Sequence, residues 1–129
     1  MSGDQIELTL PGDEAFHGVA HLVLGGLAVR QNLSFESLED LELALDALLE
    51  RVQGDDGVML QMRILDGELH TKVGPFADVR AELEQGDAGA LNLSRILSAV
   101  CDSVEISDAG GSEWVELTTR VQKAEGAAG

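Results

Sequence analysis

The chain has 129 residues, 44% hydrophobic and 25% charged, which fits one globular domain able to bury a core without a disulfide or metal staple. Asp and Glu number 24 against 8 Lys and Arg, a formal net charge of −16, which excludes a general basic footprint for nucleic acid and favours a basic protein partner. The aromatic residues are Phe16, Phe35, Phe76 and Trp114, too few for base-stacking or sugar-stacking platforms, so the core must be aliphatic.

In chain order, Ile6-Glu7-Leu8-Thr9-Leu10 alternates apolar and polar and predicts a half-buried strand stopped by Pro11-Gly12. Asp13 caps a predicted helix from Glu14 to Arg30 with Phe16, Ala20, Val23 and Leu27 at helical spacing. The pair Gly25-Gly26 weakens that helix, and close packing against a neighbour would explain its presence. Ser34 caps a second helix whose apolar face is Leu38, Leu41, Leu45, Leu48 and Val52, the clearest helical pattern in the chain, with Glu39, Glu42, Asp46 and Glu50 on the opposite face.

After the turn-rich stretch from Gln53 to Gly57, Val58 to Leu65 and Glu68 to Val73 predict a hairpin about Asp66-Gly67. Within the Gly-rich stretch from Gly74 to Ala90, Asp78 to Gln85 suits one or two helical turns. Leu91 to Cys101 predicts a helix with Leu93, Ile96, Leu97 and Val100 facing inward. Strands over Val104 to Ile106 and Glu113 to Val121, separated by turns from Ser107 to Gly111, complete residues 1–122 as a single domain, and Lys123 to Gly129 reads as a frayed tail. The implied fold is α+β, a two-layer sandwich with helices on one face of a mostly antiparallel sheet. No basic-then-apolar leader opens the sequence and no segment has bilayer-spanning length, so a soluble cytoplasmic protein is expected.

Leu38-Glu39-Asp40-Leu41-Glu42-Leu43-Ala44-Leu45-Asp46-Ala47-Leu48-Leu49-Glu50-Arg51 resembles the second helix of the serine/threonine kinase-type anti-sigma factors, which have the histidine-kinase-like (GHKL, Bergerat) ATPase fold. Leu93 to Ile106 is similar to that family's last helix and following strand, and the opening strand, Pro11-Gly12, the first helix and the Leu33-Ser34-Phe35 junction fit the same layout. The resemblance covers most of the chain and rests on hydrophobic pattern and topology.

Its polar signatures are absent. Where the family carries a general-base glutamate and, four residues on, a magnesium-ligating asparagine, this chain has Ala47 and Arg51. Alanine accepts no proton, and a guanidinium has no lone pair for a cation. Asp46 and Glu50 keep the spacing, but one residue of slip turns them about 100° around the helix. The family's Asp-x-Gly-x-Gly adenine-reading turn corresponds to Val73-Gly74-Pro75-Phe76, and its phosphate-binding Gly-x-Gly to Leu91-Asn92-Leu93. The resemblance therefore implies a degenerate member with no cofactor expected and no catalytic residue. ATP with magnesium is the alternative, Arg51 then serving as counter-charge to phosphate.

Other groups are weighed on their own chemistry. His17 and His21 stand four apart as in helical zinc pairs, but Gly18 replaces the glutamate of the protease motif and no third ligand is implied unless His70 approaches in space. They read as a solvated or interface pair with pH sensitivity as a milder role. Cys101 is the one cysteine, which excludes an internal disulfide and multi-cysteine zinc and reads as a buried thiol whose pKa acidic surroundings raise. Ser94 and Ser98 lack the strained elbow of a nucleophile. The expected function is a non-catalytic protein-binding module of a bacterial partner-switching system, acting like an anti-sigma factor on a sigma factor or an anti-sigma antagonist, with a homodimer possible. Phe16, His17, His21, Glu39, Glu42, Asp46 and Glu50 are the candidate contact residues. A protein serine kinase with unusual site residues, or a structural dimerisation domain, is the alternative.

Overall fold

The computed structural model describes residues 5–11, 17–52, 57–76, 79–85 and 93–120. Five strands, β1 (Gln5–Leu10), β2 (Val58–Leu65), β3 (Glu68–Phe76), β4 (Ser103–Ala109) and β5 (Ser112–Arg120), form one antiparallel sheet in the order β1-β2-β3-β5-β4. Four helices, α1 (His17–Gln31), α2 (Phe35–Leu49), α3 (Arg80–Gln85) and α4 (Leu93–Val100), accompany it. The α+β two-layer architecture is the one the sequence implies.

Local chemistry explains most element ends. Asp66 and Gly67 both take positive φ, 55° and 79°, as a two-residue hairpin turn requires. Gly110 and Gly111 do the same at 60° and 82°, so the β4 and β5 strands run right up to a tight turn. The sequence reading ended β4 at Ile106 and made Ser107 to Gly111 a loop; the glycine pair alone makes the turn. The Ser34 Oγ accepts the Ser37 N–H at 3.1 Å and opens α2, as a helix cap should. Asp13 and Glu14, expected at the start of the first helix, and the tail lie outside the described residues.

The core is aliphatic, with Phe76 the one aromatic side chain buried among the described residues. From α2 it takes Leu41, Ala44, Leu45, Ala47, Leu48 and Leu49, from the sheet Leu60, Met62, Leu69, Val73, Val115 and Leu117, and from α4 Leu93 and Leu97. The inward face of α1 is Ala20, Leu24, Leu27 and Ala28; Val23, assigned inward from the sequence, is only half-buried. Ile96 and Val100 of α4 are likewise half-buried against the core. No helix among the described residues is long and apolar enough to cross a membrane.

Gly25 and Gly26 are not packing glycines. A methyl group added at either would meet nothing within 4 Å, which corrects the close-packing explanation: they lie on the outward side of α1. Gly74 is the opposite case, since a Cβ there would fall 2.7 Å from two atoms of the Trp114 ring. Gly25→Ala and Gly26→Ala should each stabilise the fold by roughly 1 kcal/mol, whereas Gly74→Ala should destabilise it; chemical denaturation of the three variants distinguishes these signs.

Candidate functional site

Of the positions at which the resemblance puts nucleotide chemistry, Ala47 lies on α2, Val73 on β3 and Leu93 at the start of α4. Ala47 is 4% exposed, and Val73 and Leu93 are fully buried. All three are members of the continuous core. Arg51 Nη1 donates to the Ala47 carbonyl at 2.9 Å and lies 3.6 Å from a Glu50 oxygen, so the guanidinium folds back along its own helix. The stretch from Val73 to Phe76 does not leave the sheet as a turn. It remains in β3, with a register shift against β5 between Val73 and Phe76, because Phe76 is drawn inward and buried while Pro75 faces out. Leu91 lies outside the described residues.

The histidine and carboxylate candidates are arranged differently from the sequence reading. That reading put Glu39, Glu42, Asp46 and Glu50 on one outer face. In the fold only Glu39 and Glu50 are exposed, while Glu42 and Asp46 turn toward α1. There His21 Nε2 lies 2.6 Å from Asp46 Oδ1 and Nδ1 lies 3.3 Å from Glu42 Oε2. Both ring nitrogens donate when the imidazole is protonated, so one side chain bridges two helices. The hydrogen bond to Asp46 raises the His21 pKa above 6.5, burial opposes it, and the charges of Asp46 and Glu42 add to the rise. His17 is half-buried and takes no part in the bridge described for His21. His70 lies on β3 beside Glu68, at 3.4 Å, and no group of three or more His, Cys, Asp or Glu suited to a metal occurs among the described residues. Phe16 lies outside them.

Cys101 is free and partly buried. Burial raises its pKa most, Thr119 acts the other way, and Asp102 and Asp40 add to the rise, which makes it a poor nucleophile.

The sequence reading missed an apolar surface on the helical layer. Leu22 and Val29 of α1 are 77% and 83% exposed, and Phe35 and Leu43 of α2 are 71% and 51% exposed. With 100° per residue, Gly18, Leu22, Gly25, Gly26 and Val29 fall on the outward side of α1. The signal was present in the sequence: His17–Gln31 holds more apolar residues than one buried stripe can use.

Comparisons with known proteins follow the same line. No family model matches the sequence. A stretch of 42 residues, 33% of this chain, is 45% identical to the serine-protein kinase RsbW of Oceanobacillus iheyensis and spans 27% of that protein. In three dimensions, 94% of the chain aligns with the crystal structure of the RsbU and RsbW domains of Rv1364c from Mycobacterium tuberculosis. The TM-score is 0.67 at 15% identity, and 34% of that longer chain is covered. The resemblance to the kinase-type anti-sigma factors thus stands on a shared segment of sequence and on a shared fold.

Two measurements test the site. Leu93→Ala should cost about 2–5 kcal/mol in urea denaturation, the penalty of a cavity in a packed core. Because its folded pKa is raised, His21 contributes stability that is complete below about pH 6.5 and lost as pH rises through the folded pKa. His21→Gln should therefore be less stable than the parent by roughly 0.5–1 kcal/mol at pH 5.5, with the difference vanishing at alkaline pH.

Proposed function

From its likeness to RsbW in sequence and fold, we propose that this chain is a non-catalytic binding module of a bacterial partner-switching system. In this reading it acts in the manner of an anti-sigma factor, in the cytoplasm, through protein contacts alone. The observation that carries the reading is the burial of Ala47, Val73 and Leu93 in the aliphatic core. A general base, an adenine acceptor and a phosphate-binding backbone are polar functions, and a side chain or main chain performs them only where a ligand can reach it. Here two of the positions are filled by branched hydrocarbon and one by a methyl group. Arg51, the alternative counter-charge, is engaged with the Ala47 carbonyl.

Partner contact falls on the outward side of α1 and α2. Leu22, Val29, Phe35 and Leu43 supply apolar area there, and exposed Glu39 and Glu50 border it. Apolar area rimmed by carboxylates suits a basic protein surface, with the net charge of −16 steering the encounter. A sigma factor, whose DNA-binding regions are basic, has that chemistry, and an anti-sigma antagonist is the other candidate. The His21 bridge to Glu42 and Asp46 holds the two helices that carry the surface in fixed relation.

Protein kinase activity is the competing reading, since the relative that shares 45% identity over 42 residues is a serine-protein kinase. Calorimetric titration with ATP or ADP and magnesium separates the two. The non-catalytic reading expects no saturable binding up to about 1 mM nucleotide, and a sigma factor or antagonist from the same genome retained without nucleotide. Saturation in the micromolar range overturns it.

A further inference from the structure

Strand β4 ends the sheet, and its outer edge has no strand neighbour among the described residues. An unpaired edge offers a row of backbone N–H and C=O groups to any extended chain. Among the described residues the helical layer does not close over it. Helix α4 buries Leu93 and Leu97 farther in, leaving Val104 and Ile106 of β4 only half-buried on the helix side. Beside them lies a groove of about 320 Å³ lined by Arg80, Leu83, Ser94, Ser98, Val104 and Ile106.

The α3 wall of this groove is held in place by charge. Glu113 Oε1 accepts the backbone N–H groups of Val79 at 2.7 Å and Arg80 at 2.8 Å. Arg80 Nη2 donates to Asp108 Oδ2 at 2.7 Å, and Arg80 Nε lies 3.8 Å from Glu113 Oε2. The charge of Arg80 is thereby neutralised, so this wall does not repel an incoming cation.

On the other face of β4, Glu105 stands directly opposite Glu116 of β5. Neither is in an ion pair among the described residues. Like charges in register across a ladder are destabilising; Lys72 of β3 stands opposite Glu116 on its other side, whereas Glu105, at the edge, has no cation in register, and one brought beside it would relieve the repulsion.

We propose that the β4 edge and this groove receive an extended segment of a protein partner with the pattern apolar, Lys or Arg, apolar. Side chains alternate along a strand with about 3.3 Å per residue. Two apolar residues of an added strand would therefore enter the groove beside Val104 and Ile106, and the residue between them would bring its cation to Glu105. Main-chain pairing supplies affinity and the alternating pockets supply selectivity. This contact surface is separate from the α1 and α2 face and does not depend on the nucleotide reading.

The test is a titration of the whole isotope-labelled protein with the capped peptide Gly-Lys-Val-Lys-Ile-Lys-Gly, followed by backbone amide NMR. Saturable shifts are expected at Ser103 to Ala109 and at Ser94 and Ser98. Glu105→Lys should weaken binding about tenfold or more while raising the denaturation midpoint of the free protein, because it removes the repulsion facing Glu116. A variant that has simply lost its fold cannot show both. The proposal is overturned by no saturable shift below about 1 mM peptide or by an equal response to a peptide of the same composition with its lysines in one block. It is equally overturned by shifts confined to the acidic residues of α2, or by undiminished binding in Glu105→Lys.

Discussion

The sealing of one sheet face by α2 is the contact on which the rest of the molecule depends. This helix buries Leu41, Ala44, Leu45, Ala47, Leu48 and Leu49, and each fully buried leucine contributes about 1.5–3 kcal/mol relative to exposure. Its flanks then place its neighbours. Glu42 and Asp46 hold His21 of α1, and α2 also packs against α4. With so few aromatic side chains, the interior is filled almost wholly by branched aliphatic groups, and the carboxylates are left outside it.

That arrangement gathers α2, the middle of the sheet and α4 around one aliphatic core. Ala47 of α2, Val73 of β3 and Leu93 of α4 are all buried in it. The surfaces that remain available lie on the outside of the helical layer and along the open edge of the sheet. Both carry carboxylates, exposed Glu39 and Glu50 on the one and Glu105 on the other.

Much of this was legible in the sequence. The leucine spacing of α2, the Asp66-Gly67 turn, the Ser34 cap and the alternation in β2 each have a local cause and appear where expected. Less legible was α1, where apolar residues occupy nearly every direction and periodicity could not separate Leu24, which is buried, from Leu22, which is exposed. The glycine pair within it looked like a packing device only because the sequence does not reveal what stands opposite.

The sequence by itself determined the class of fold, the aliphatic core and the acidity, since each follows from composition or from contacts within a few residues. Tertiary structure decided which carboxylates are free. Glu42 and Asp46 belong to the same acidic series as Glu39 and Glu50, yet the approach of α1 turns them into partners of His21. It also decided that Phe76 stays within the sheet and that β4 has an open edge beside a groove. These outcomes depend on segments far apart in the chain, and local spacing carries no record of how such segments meet. The charge of −16 was evident from the start, but only the fold divides it into carboxylates that brace helices and carboxylates left exposed to solvent.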